Sequence, residues 1–113
     1  ILMGEEGQVS LYGGAGFDTL IGGTGDDLLA GDFNADRFVF EAGHGNDTIS
    51  DFDANNEFVL MDFSDFAGFD SVSSLLAVSQ QVGSDVLITT SPTSSIRLTN
   101  VTLADLGVDD FVF

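Results

Sequence analysis

A chain of 113 residues that sets nineteen acids against two bases, Arg37 and Arg97, has a formal charge of −17 and contains no lysine. Such a surface repels nucleic acid and anionic membranes and attracts cations, while a hydrophobic content of 43% with eleven Phe can build one modest core once the charge is neutralised. The absence of cysteine excludes a disulfide framework and any thiolate zinc or redox site, and no apolar run approaches the roughly eighteen residues of a membrane span.

The sequence opens Ile1-Leu2-Met3-Gly4, with neither initiator methionine nor basic leader, and is expected to be a piece of a longer protein. From Gly4 it repeats with period nine, in copies 4–12, 13–21, 22–30 and 31–39, and in a fifth copy, 42–50, after the two extra residues Phe40 and Glu41. The eighth position reads Leu11, Leu20, Leu29, Phe38, Ile49, and the sixth reads Val9, Asp18, Asp27, Asp36, Asp47. Only the first copy lacks the acid, as expected of a degenerate end repeat. Gly-Gly-x-Gly bends the chain and the next three residues extend with one side chain inward, so two copies should make one flattened coil. Asp18 should then stack on Asp36 and Asp27 on Asp47, in a parallel β-roll. His44, at a variable turn position, is expected to be exposed.

After Asp53 the period vanishes and Ser, Thr, Val and Leu dominate. The expected division is a roll over 1–54 and a β-rich cap over 55–113. Within the cap, 57–61, 85–90, 95–100 and 111–113 read as strands, with Pro92 in a hairpin turn between two of them. Val72, Leu75, Leu76 and Ser79 keep helical spacing behind a possible Asp70 N-cap, with Gly83 as terminator. Thr102-Leu103-Ala104-Asp105 matches a capping box and Gly107 a C-cap, which gives one further turn. Phe52, Phe58, Phe63, Phe66 and Phe69 are expected to pack the cap. Asp26, Asp53, Asp62, Asp65, Asp70, Asp85, Asp105 and Asp109 lack the phase of the repeat and are expected to be solvated.

Calcium takes six to eight oxygens in flexible geometry, which Gly-rich turns supply as carbonyls and Asp completes with charge; magnesium is less suited and zinc would want His or Cys. Asp51 and Asp53 imply no substrate cleft, and neither a Ser-His-Asp arrangement nor a phosphate loop is present, so the chain is expected to be non-catalytic.

The copies 13–21 and 22–30 match at every fixed position the hemolysin-type calcium-binding nonapeptide of RTX proteins. With Asp36-Arg37-Phe38-Val39-Phe40, Asn46-Asp47-Thr48-Ile49-Ser50-Asp51-Phe52 and the terminal Asp110-Phe111-Val112-Phe113, the whole chain resembles the C-terminal RTX module of serralysin-type and other type I secreted bacterial proteins. The resemblance implies an all-β fold, a parallel β-roll followed by a β-rich cap with one or two short helices, that binds about two to four Ca2+ ions between turns n and n+2. One site would take Gly13, Ala15 and Asp18 with Asp32, Asn34 and Asp36. Another would take Gly22, Thr24 and Asp27 with Gly43, Gly45 and Asp47. A third would join Gly4 and Glu6 to Gly23, Gly25 and Asp27, where Val9 offers no carboxylate, and Asp51 would be a ligand alongside Asp36.

It further implies a secreted, extracellular module that folds on calcium outside the cell, with the type I secretion machinery and an upstream domain of the same polypeptide as partners. The terminal Asp109-Asp110-Phe111-Val112-Phe113 is similar to the export signal of such proteins. Two other readings stay open: a polysaccharide-binding accessory module, as in alginate epimerases, and a piece of a calcium-stiffened surface adhesin.

Overall fold

The computed structural model describes residues 2–4, 6–14, 16–31, 36–41, 43–52, 59–64, 71–107 and 110–113. The repeat region gives short strands β1 (Leu2–Met3), β2 (Ser10–Tyr12), β3 (Asp18–Ile21), β4 (Leu28–Ala30), β5 (Asp36–Val39) and β6 (Asn46–Ile49). Beyond it come β7 (Leu60–Asp62), helix α1 (Val72–Leu76), β8 (Ser79–Val82), β9 (Asp85–Ser91), β10 (Ser94–Leu98), a 3₁₀ turn at Leu103–Asp105 and β11 (Phe111–Val112).

Successive strands of the repeat region fall into opposite sheets, because each glycine turn reverses the chain between them. One sheet has the order β1-β3-β5-β7-β11 with every pairing parallel. The other has the order β2-β4-β6-β10-β9-β8, parallel as far as β10 and antiparallel beyond. The protein is thus mostly β, and its parallel sheets are consistent with a β-roll-like fold.

The period-two pleat carries the eighth position of each repeat inward. Leu20, Phe38, Met61 and Phe111 are cross-strand partners in one sheet. Leu11, Leu29, Ile49, Leu98 and Val86 are partners in the other. All nine are buried in a single core cluster with Phe52, Phe63 and Leu75. Leu2 is the cross-strand partner of Leu20, so parallel pairing extends one strand before the first Gly-rich copy, which the period counted from Gly4 misses.

Three expectations for the second half need correction. The helix stops at Leu76, its N-cap is Ser71, whose Oγ accepts the Ser74 N–H at 3.2 Å, and Asp70 lies outside the described residues. Ser79 is in strand β8 instead, which forms a tight hairpin with β9 through Val82 and Asp85 around Gly83 (φ 61°). The Gln81 amide reinforces that choice by donating to the carbonyls of Gly83, Asp85 and Val101. The turn after Thr102 is 3₁₀ with no side-chain cap, its C-cap is Leu106, and the Gly107 N–H donates to Asp110 Oδ2 at 2.8 Å.

The strand expected at 57–61 is seen as β7 at Leu60–Asp62, and Glu57 and Phe58 lie outside the described residues, as do Phe66 and Phe69. Asp62 is buried and not solvated, because it accepts Ser64 N–H at 2.8 Å and Arg37 Nη1 at 3.3 Å. The hairpin around Pro92 forms as β9–β10. On it, the Asn100 N–H and then Arg97 hold the Asp85 carboxyl below its ordinary range.

Leu29 is fully buried between Leu11 and Ile49 in its column, whereas Phe17 in the turn is 82% exposed. Leu29→Ala should therefore cost about 2–5 kcal/mol and Phe17→Ala less than about 0.5 kcal/mol, read by denaturant unfolding in saturating calcium.

Candidate metal centre

The sixth-position aspartates form a ladder. Asp27 Oδ1 accepts the Val9 N–H at 3.0 Å, Asp36 Oδ1 that of Asp18 at 3.0 Å, and Asp47 Oδ1 that of Asp27 at 2.9 Å. Each carboxylate thereby bonds the backbone of the coil before it, which fixes the n to n+2 stacking. Asp51 extends the pattern by accepting the Gly31 N–H at 3.0 Å.

The second oxygen of these carboxylates turns back into its own glycine turn. A Cβ on Gly13 would lie 2.8 Å from Asp18 Oδ2, and one on Gly22 2.6 Å from Asp27 Oδ2; on Gly31 it would meet Asp36 Oδ2. The first glycine of the repeat is thus required by space, since the aspartate fills the room a side chain would need. Coil-to-coil contact is equally close: Gly45 and Gly25, at φ 87° and 97°, would drive a Cβ into the carbonyls of Gly25 and Gly7 respectively. Those contacts are backbone to backbone and cannot yield.

Asp18 Oδ2 and Asp27 Oδ2 are buried and accept no hydrogen bond among the described residues. A buried carboxylate oxygen left in that state costs free energy of order a few kcal/mol, which a cation would offset. Burial pushes the Asp27 carboxyl above its ordinary range; the Val9 N–H opposes this, and the nearby Asp47 carboxyl raises it further, with the charge of Asp26 adding to the same side. Two carboxylates, Asp27 and Asp47, thus share a buried place that favours positive charge.

The structure brings Asp18 to Asp36 as cross-strand partners, Gly4 and Gly13 against Gly22 and Gly31, and Asp51 to the turn of Asp36 through Gly31. Between the coils, Gly22, Gly23 and Thr24 face His44 and Asp47 across a cavity of ≈ 60 Å³. Glu6 is exposed on its bend, and Gly43 is exposed at φ 80°. Ala15, Asp32 and Asn34 lie outside the described residues. No three Asp, Glu or His side chains converge on a common point among the described residues. An ion here would depend on peptide carbonyls for most of its shell. A calcium ion fits such a donor set of carboxylates and carbonyls; zinc does not.

His44 contradicts its expected exposure. It is 3% exposed, with Nδ1 2.8 Å from Asp47 Oδ2 and Nε2 2.8 Å from Thr90 Oγ1. Periodicity places it at the third position of its repeat, but its partner Thr90 comes from the non-repeating half, where no phase could signal it. Arg37 and Arg97 are both committed, to Asp62 and to Asp85 at 3.0 Å.

No described helix is long and apolar enough to cross a membrane. No family model matches the chain, and no curated protein matches it. Among solved structures, the chain is similar to the extracellular lipase LipA from Serratia marcescens, with a TM-score of 0.69 and 26% identity. The match covers 95% of this chain and 20% of the lipase, so the chain spans about a fifth of the length of that protein.

Proposed function

We propose that the chain is a calcium-binding RTX-type module that folds outside the cell when calcium becomes available, and so stabilises and aids the type I secretion of a longer bacterial polypeptide. The observation that carries this reading is the two buried carboxylate oxygens, Asp18 Oδ2 and Asp27 Oδ2, each pressed against a glycine and supplied with no donor among the described residues. Similarity to part of an extracellular lipase supports a secreted setting, and the module itself is read as non-catalytic.

The carboxylates of Asp18, Asp27, Asp36, Asp47 and Asp51 would supply the charge and the glycine turns the carbonyls. Three ions would move the formal charge from −17 to −11, since three dications add six. Calcium bound only to the folded coils stabilises them by RT ln(1 + [L]/Kd) per independent site. Extracellular modules bind at roughly 10⁻⁴ to 10⁻³ M, which leaves such sites empty in a low-calcium cytoplasm and filled outside. The reading as a module for anionic polysaccharide is disfavoured because both arginines are spent on internal ion pairs.

Far-UV circular dichroism should move from disordered to β-rich as calcium is added to chelated protein, with magnesium at equal concentration giving little change. A spectrum already β-rich in chelator and indifferent to calcium would sink the proposal. Within the same titration, Asp27→Ala should raise the calcium midpoint by more than about tenfold while Asp105→Ala, at an exposed position, leaves it unchanged. Equal shifts would show that the phase of the repeat does not define the ligands.

A further inference from the structure

The turn that carries Asp47 is held from two sides. Toward the preceding coil, Asp47 Oδ1 accepts the Asp27 N–H and Asp26 Oδ1 accepts the Asn46 N–H, both at 2.9 Å. Toward the β9–β10 hairpin, the Gly45 N–H donates to Ser94 Oγ at 3.2 Å, the Ser95 N–H donates to Gly45 O at 3.0 Å, and Ser95 Oγ donates to Asn46 Oδ1 at 2.8 Å.

His44 belongs to both sides. Its Nδ1 holds Asp47 Oδ2 at 2.8 Å, its Nε2 meets Thr90 Oγ1 at 2.8 Å, and Thr90 Oγ1 donates onward to Ser94 O at 3.1 Å. The ring is walled by Phe40, centroid to centroid 5.2 Å and edge-on, which is itself stacked on Phe63. Imidazole, Gly22, Gly23, Thr24 and Asp47 line the same ≈ 60 Å³ cavity. A side chain held at both ring nitrogens and packed against Phe40 has one orientation, and it passes that orientation to the carboxylate it touches.

We infer that His44 is a positioning residue that joins the Asp27–Asp47 ion site to the β9–β10 hairpin, so that hairpin docking presets Asp47 for the cation and the cation in turn secures the hairpin. The inference rests on the calcium reading above. Groups that orient a ligating carboxylate from behind change metal affinity by about 10- to 100-fold, and coupling between two sites is reciprocal.

Thr90 bonds the imidazole and Ser94 O rather than either carboxylate, so it separates positioning from ligation, and His44→Asn separates the imidazole path from the Ser94 path. In calcium calorimetry on the full chain, Thr90→Val should leave the number of bound ions unchanged and weaken one of them about tenfold, and Thr90→Ser, which keeps the hydroxyl, should restore it. His44→Asn, which keeps a donor for Asp47 but cannot span to Thr90, should resemble Thr90→Val. By hydrogen exchange in saturating calcium, the amides of β9 and β10 should lose protection in Thr90→Val while those of β3 and β5 keep theirs. Calcium binding to Thr90→Val with wild-type affinity, and a hairpin equally protected, would overturn the coupling and leave the calcium reading standing. A wild-type chain that binds no calcium would overturn both.

Discussion

The structure depends on one repeated hydrogen bond, from the backbone N–H of one coil to an aspartate oxygen of the coil stacked on it. Asp27 and Asp36 are spent on their neighbours through Oδ1 while Oδ2 turns back into their own glycine turns, Asp47 Oδ2 is held by His44, and stacking draws like charges together. Order along the stack and repulsion along the stack therefore have the same source. Burial of nine aligned apolar side chains favours the coils, and nineteen acids against two bases oppose them. A divalent ion is the simplest species that lets both conditions hold.

The glycines follow from the same bond. At the first position of the repeat the side chain of the aspartate occupies the space of a Cβ, as at Gly22 beside Asp27. At the fourth, the preceding coil's carbonyl does, as at Gly25 and Gly45. Composition and function are thus tied: a sequence able to stack this closely must be poor in side chains where it turns, and must satisfy its exposed peptide groups by other means.

Much of the first half could be read from the residues, because a nine-residue period reports which positions meet. The pairing of Asp18 with Asp36 and the burial of Leu11, Leu20, Leu29, Phe38 and Ile49 follow from counting. What counting misses depends on partners far away in the chain. His44 is buried by Thr90, 46 residues on, and Asp62 by Arg37, 25 residues back. Ser79 keeps the helical spacing of Val72, Leu75 and Leu76, but Ser79–Val82 finds a better partner in β9 across a two-residue turn, and local pattern yields to that pairing. Strand pairing also runs on past the repeats: β10 adds to β6, β7 to β5 and β11 to β7, in the sheets that the repeats began.

The placement of β11 bears on the order in which the protein can form. Each coil closes on another only about 18 residues away, as Leu20 on Phe38, whereas Met61 waits for Phe111 across a separation of 50 (111 − 61). Loop closure over that span costs about 1 kcal/mol more entropy than over one coil, so zippering should run through the repeats first and reach the tail last. Phe111 and Phe113, set 6.3 Å and 6.2 Å from the ring of Phe63, then act as a latch. A chain that folds from its first repeat onward lacks that clasp until β11 has been added, which makes closure of this sheet a late step and leaves the Phe63 ring uncovered until then.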